Sequence, residues 1–302
     1  MALEDEFGDI ILKARAGRGL SVDFVSKETG VNKTEITQLE ALAKKPTSEQ
    51  VEVFARLLHL DPAKLMEIAF QRYVPKPVPS TLSEKVITIL GTIGAYEVKG
   101  YLIVDPSTRE AAIVDTAYHP EGMMSAIAQN QLNLKYILLT HTHQDHMGGV
   151  DKIREKFDVP IYVSREEVGQ LGKTWNSAKD RLVQEGESIS LGKLTIKSFH
   201  TPGHTPGGTG YVCQTSGLSF GFFGDAIFAG SLGRAYAVIS YPQLIQSVQT
   251  KILTLPEETV LFPGHGPATT VGEEKKHNPF FVAGEIDSTP HPGSPVRGEE
   301  SF

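Results

Sequence analysis

Between His141 and His146 the chain packs four side chains able to ligate a metal, in the run Thr140-His141-Thr-His143-Gln-Asp145-His146-Met-Gly148-Gly149, directly after the apolar stretch Tyr136–Leu139. His141 and His143 are two residues apart. A helix would splay them, whereas a strand end or an irregular loop can aim both imidazoles at one ion. Asp145 and His146 then suit a second ion beside the first. Three further candidates each follow an apolar run: His204 in Thr201-Pro-Gly-His-Thr-Pro-Gly-Gly208, Asp225 after Ser219–Phe223, and His265 in Pro263-Gly-His-Gly266. Taken singly, each reads as a turn residue; their shared position after candidate strands reads as a metal cage assembled from distant parts of the chain. Neutral imidazole and carboxylate suit borderline divalent ions, zinc first, with iron and manganese as alternatives. Two such ions sharing a water lower its pKa from about 15.7 toward ~7, which makes hydroxide available as a nucleophile at neutral pH. No Gly-x-Ser-x-Gly elbow competes for that role. Cys213, the single cysteine, sits in a strand-like run and reads as core.

These residues need a scaffold, and the chain divides by pattern. Residues 1–73 lack strand-like alternation and predict short helices over Phe7–Ala16, Ser21–Glu28, Asn32–Leu42, Ser48–Leu58 and Asp61–Ala69. Residues 74–85 include Pro75-Lys-Pro-Val-Pro79 and predict a semi-rigid extended linker. From Val86 to residue 284, short β-branched runs alternate with helical segments, including one over Pro242–Leu253, and predict an α/β layered domain. Residues 285–302 have almost nothing to bury and read as a disordered tail. The chain's 302 residues carry a net charge of −7 and 40% hydrophobic residues. One cysteine excludes a disulfide-stapled scaffold, and no apolar run has membrane length, so no membrane partner is expected. The acidic start lacks a secretory signal, and the expected compartment is the cytoplasm.

The order His-x-His-x-Asp-His, Pro-Gly-His-Thr, Gly-Asp, Pro-Gly-His resembles the metallo-β-lactamase superfamily over about Val86 to Pro279. The stretches Phe223-Gly-Asp225-Ala-Ile-Phe-Ala-Gly-Ser-Leu-Gly233-Arg234 and Gly264-His-Gly-Pro, with Thr270-Val-Gly-Glu-Glu and Asn278-Pro-Phe beyond, are most similar to its glyoxalase II-like hydrolases. The resemblance implies an α/β fold, the αββα sandwich, with the site at one edge of two sheets. It further implies His141, His143 and His204 on one ion, Asp145, His146 and His265 on the other, and Asp225 bridging. Asp145 and Asp225 are thus the carboxylates expected in catalysis. Asp115 corresponds to an aspartate that supports the metal loop from behind. The implied activity is hydrolysis of a small thioester or related acyl substrate by a metal-bridging hydroxide. A mononuclear iron persulfide dioxygenase, which shares the fold, is the alternative. Arg234 is placed to meet a substrate carboxylate bidentately. Tyr236, Lys173 and Trp175 read as packing or solvated loop residues.

Residues 7–70 resemble the Cro/repressor-type helix-turn-helix fold, through Thr29-Gly30-Val31 between two short helices and the apolar Ile36 and Leu39. The chain therefore reads as a small all-α helix-turn-helix domain preceding the sandwich. That resemblance implies that Asn32, Lys33, Thr34, Thr37 and Gln38 would face a DNA major groove. Charge points the other way, since Glu4–Tyr73 is net acidic with no basic stripe. A DNA-binding regulator with a metal-containing sensor domain is thus a third reading, beside a helical unit serving interaction or homodimer assembly.

Overall fold

The computed structural model describes residues 2–215 and 217–282. The expected tail and the boundary at 284 lie outside them. Five helices come first: α1 (Phe7–Gly17), α2 (Val22–Thr29), α3 (Lys33–Glu40), α4 (Ser48–Leu57) and α5 (Pro62–Ala69). Their starts are set by side chains that take up orphan backbone donors. Ser21 accepts from Phe24 N, Asn32 from Glu35 N, Asp61 from Ala63 N and Lys64 N, and Thr47 and Gln50 form a reciprocal capping box. Gly30, at φ +73°, ends α2 in the left-handed conformation that lets the chain turn at once into α3. The expected helix to Leu42 stops earlier, because Leu42 itself has φ +58°.

From Val86 two six-stranded sheets follow. The first runs β1 (Val86–Ile93), β2 (Tyr96–Val104), β3 (Glu110–Val114), β4 (Asn133–Leu138), β5 (Ile161–Val163), β6 (Arg181–Leu182). The second holds, in spatial order, β12 (Thr269–Thr270), β11 (Val260–Pro263), β10 (Leu218–Gly224), β9 (Thr209–Thr215), β8 (Leu194–His200) and β7 (Ser188–Leu191). Alternation along each strand sorts side chains between layers. Tyr101, Ile103, Val114 and Leu138 meet Ile196, Tyr211, Phe220, Phe222 and Phe262 between the sheets. Cys213 lies in the same layer, where burial pushes its thiol up to about 12. On the outer face of the first sheet, Leu102, Ile113 and Ile137 pack on α6 (Pro120–Gln129) and α8 (Val150–Phe157), with the one-turn α7 (Gln144–Met147) between them in sequence.

The outer face of the second sheet is where the observed arrangement departs most from the expected one. Val212, Phe223 and Leu261 share one hydrophobic cluster with Leu244 and Val248, and also with Ile10, Phe54, Leu58 and Leu65 of the N-terminal helices. The helical unit is therefore part of the sandwich's outer layer rather than a body hung on a spacer. The proline run signals extended backbone but carries no information about what its flanks bury. At its near end Tyr73 is buried, and at its far end Leu82, in a single 3₁₀ turn, is buried between the sheets. The helix expected over Pro242–Leu253 is α-helical only over Tyr241–Ser247 and continues as wider π-type turns over Val248–Ile252. No helix among the described residues is long and apolar enough to cross a membrane.

Candidate metal centre

Five chain segments reach one edge of the sandwich: Asp115 just past β3, Thr140–His146 past β4, the loop of His204 between β8 and β9, Asp225 past β10 and His265 past β11. Each imidazole but that of His143 is held from behind. His204 Nδ1 donates to the Arg234 carbonyl at 2.7 Å, and His265 Nδ1 to the Glu97 carbonyl at 2.6 Å. His146 Nδ1 meets Asp115 Oδ2 at 2.8 Å, and His141 Nδ1 meets Thr140 Oγ1 at 3.0 Å. A carbonyl can only accept, so Nδ1 of His204 and His265 carries a proton, and each ring turns its Nε2 edge to the centre.

The free ends converge in two groups. His143 Nδ1 lies 3.1 Å from His141 Nε2 and 3.1 Å from His204 Nε2. Asp145 Oδ2 lies 3.7 Å from His146 Nε2 and 3.3 Å from His265 Nε2. Asp225 stands between the groups, with Oδ1 3.4 Å from His146 Nε2 and Oδ2 3.5 Å from both His204 Nε2 and His265 Nε2. Nitrogens on a tetrahedral zinc at 2.0–2.1 Å are about 3.3 Å apart, so this spacing fits a divalent ion. His146 Nε2 and Asp225 Oδ1 are buried and have no hydrogen-bond partner, which is costly unless a cation takes them up. His/Asp clusters suited to divalent metal ions are thus present on both sides of Asp225.

The electrostatics differ between the two groups. Burial pushes His204 down to about 4 although Asp225 pulls the other way, and burial together with His146 and His204 holds His141 well below the usual imidazole range. Both are in the neutral form that ligates. Burial also opposes protonation of His146 and His265, but Asp225 and Asp115 together outweigh it at His146, raising it well above its usual value, and Asp225 with the hydrogen bonds to Asp145 and the Glu97 carbonyl raises His265 to about 9. Desolvation likewise opposes ionisation of Asp225, yet His146 and His265 hold its carboxyl well below the usual range. A divalent ion would replace the protons that now balance this carboxylate.

Asp115 also falls within reach of His141 and His146. Its oxygens, however, already accept from Thr140 N at 2.8 Å, Thr140 Oγ1 at 2.6 Å and His146 Nδ1 at 2.8 Å, so it orients the donors rather than joining them. Its φ of +53° is a strained value for a side-chain-bearing residue, held by those three contacts. Glu167 is a positioning residue that the sequence hides inside the polar run Arg165-Glu-Glu. It is buried, accepts from Thr142 N at 3.0 Å and from Gly207 N at 2.9 Å, and so ties the His141–His143 loop to the His204 loop. Nothing in its spacing distinguishes it from a solvated acid. Gly233 has its own reason: a Cβ there would lie 1.7 Å from the Asp225 carbonyl, closing the gap that lets the Arg234 carbonyl reach His204.

His141, His146, Asp225 and His265 are buried, while His143 and Arg234 are exposed, so the centre opens on the His143 side. There a cavity of about 630 Å³ is lined by His143, His204, Arg234 and Tyr236, which places Tyr236 at the site rather than in packing. Trp175 packs on the outer core of the first sheet, and Lys173 is exposed. Asn32, Lys33, Thr34, Thr37 and Gln38 are all exposed on or beside α3, with Lys33 Nζ paired to Asp23 at 2.7 Å.

Residues 94–265 match the sequence model of the metallo-beta-lactamase superfamily. The chain belongs to this superfamily. The matched stretch begins after α5, so the helical unit stands outside it. Among superfamily relatives, the chain is 34% identical over 188 residues to the hydroxyacylglutathione hydrolase GloC of Haemophilus influenzae, covering 57% of this chain and 88% of GloC. Among solved structures it is similar to ETHE1 from Myxococcus xanthus, at 28% identity and TM-score 0.54, over 64% of this chain and 83% of that one. It is likewise similar to TTHA1623 in a di-iron-bound form, at 30% identity and TM-score 0.53, over 64% of this chain and all of that one (100%). The fold is that of the superfamily, and the His/Asp clusters at its edge suit divalent metal ions.

Proposed function

We propose that the chain is a binuclear metal-dependent hydrolase of a small acyl thioester, with zinc as its resident ion. The observation that carries this reading is Asp225 standing between two complete groups, with one oxygen toward His146 and the other toward His204 and His265. His141, His143 and His204 would hold one ion, and Asp145, His146 and His265 the other. When bound, a pair of divalent ions lowers the pKa of a shared water toward ~7 and polarises a scissile carbonyl. The chain's own residues do the rest. Asp115 and Glu167 hold the donor loops in register, and the His143 side admits substrate. Arg234 is exposed and lines the cavity with His143 and His204, so its guanidinium is available to take a substrate carboxylate in a two-pronged contact.

Likeness to GloC supports a thioester as substrate. Likeness to ETHE1 supports a second reading, a mononuclear iron persulfide dioxygenase; the complete Asp145, His146 and His265 group favours two ions instead. Purification without chelators, metal analysis, and a panel of thioester, lactone and glutathione persulfide substrates separate them. The proposal expects two zinc ions per chain and turnover of thioesters. One iron per chain with oxygen uptake on the persulfide overturns it.

A further inference from the structure

The cavity over His143 and His204 is not built by the superfamily domain alone. Lys13, Ala16 and Gly17, from the last turns of α1, form one of its walls, facing the segment that carries Arg234 and Tyr236. The wall is fixed in place. Lys13 Nζ donates to the Leu232 carbonyl at 2.8 Å and pairs with Asp5, which also accepts from Ser231 Oγ. Gly17 lies so close to the Tyr241 ring that a Cβ there would sit 2.2 Å from it. With its ammonium committed to Asp5 and Leu232, Lys13 is already satisfied, and what α1 offers the cavity beyond it is the small apolar surface of Ala16 and Gly17.

The opposite wall is apolar as well. Tyr236 is 51% exposed and Val238 52%. Two large apolar side chains left in water where they line a cavity mark a surface that an apolar ligand would cover. Arg234 has no carboxylate partner among the described residues. The volume suits a small molecule rather than a polymer.

We propose that α1 of the N-terminal helical unit is one wall of an acyl-binding cleft, with the substrate's apolar arm held between Ala16 and Tyr236 and its anionic group on Arg234. Ala16 and Tyr236 are specificity-determining residues, and the substrate class is an anionic thioester with an extended apolar acyl chain. This inference rests on the thioesterase reading for the reaction, though not for binding.

The test uses the full chain loaded with zinc and two probe series of rising chain length, acetyl to octanoyl. One is the hydrolysable S-acylglutathiones, and the other the inert S-alkylglutathiones of matching length, followed by calorimetry. In the unmodified protein kcat/KM and affinity should rise roughly two- to fourfold per methylene until the chain passes the lip. Ala16→Trp should abolish that rise, costing the long chains more than the acetyl compound, and Tyr236→Ala, in an exposed loop that does not threaten folding, should flatten it. A length-independent series in the unmodified protein, or equal losses for short and long chains in both variants, overturns the proposal. Length-dependent binding of the S-alkylglutathiones with no thioester turnover would sink the thioesterase reading and leave the cleft standing.

Discussion

Replacing Asp115 by Asn tests whether the metal centre is oriented from behind. Asp115 takes three hydrogen bonds, from Thr140 N, Thr140 Oγ1 and His146 Nδ1. In Asp115→Asn the amide oxygen can keep Thr140 N, and the Thr140 hydroxyl can turn to accept. His146 Nδ1–H, however, then faces an NH₂ group and loses its acceptor. With Nε2, the atom that points at Asp145 and Asp225, given to an ion, the ring keeps its proton on Nδ1 without a partner, so ion binding is weakened. A hydrogen bond to a charged group contributes about 1.5–3 kcal/mol, equivalent to roughly 10- to 150-fold in affinity for the ion on Asp145, His146 and His265. Losses of about 10–100-fold on removing a group that hydrogen-bonds a metal ligand from behind are of the same size. Asn is the informative substitution because Asp115 has φ +53° and Asn tolerates the left-handed region, so backbone strain does not enter. Titration of the metal-free protein with zinc against a chromophoric chelator should show one ion weakened by that factor. The ion on His141, His143 and His204 should change by less than about threefold, a small fraction of the loss at the other site. Two ions bound as tightly as in the unmodified protein would refute the reasoning.

Asp225→Ala should lose metal from both groups and cost far more turnover than Arg234→Ala, which should raise KM for anionic substrates with metal content intact; equal metal content and turnover in the two variants contradicts the bridging position. Burial raises Glu274 to about 7 from an ordinary 4.5, despite hydrogen bonds from Thr269, Asn278, Gly230 and Tyr73. Because the folded value is the higher one, its favourable contribution is complete below pH 4.5 and is lost as pH rises through 7. The stability difference between the unmodified protein and Glu274→Gln should therefore fall by about 3 kcal/mol between pH 4.5 and 8 in denaturant melts; a pH-independent difference rules this out. Gly17→Ala forces a methyl against Tyr241 and should destabilise by about 1–3 kcal/mol, seen as a lowered melting temperature; an unchanged melt would show that α1 does not press on Tyr241.

Much of the centre is legible in the residues because its parts are local. His141, His143, Asp145 and His146 lie in one short run, and His204, Asp225 and His265 each follow an apolar strand and sit among glycines or prolines, so type and position both announce them. Glu167 was invisible for the opposite reason. Its role comes from Thr142 and Gly207, 25 and 40 residues away, and its neighbours in sequence look like any solvated surface. The full length of the β1–β2 hairpin is hidden in the sequence because Gly91, Gly94 and Gly100 interrupt the β-branched pattern, although the two strands pair without a break from Val86 to Ile93.

The relation between the helical unit and the sandwich belongs to tertiary structure alone. The sequence by itself determined the helices, through their caps and apolar spacing, and the strands that carry the donors, because both are governed by interactions over a few residues. It could not determine that Ile10, Phe54 and Leu65 bury against Leu244 and Val248, since an apolar stripe specifies that a face is covered and not by what. That packing choice brings Ala16 and Gly17 beside His143 and His204, and with it a helix from the other end of the chain becomes a wall of the cleft.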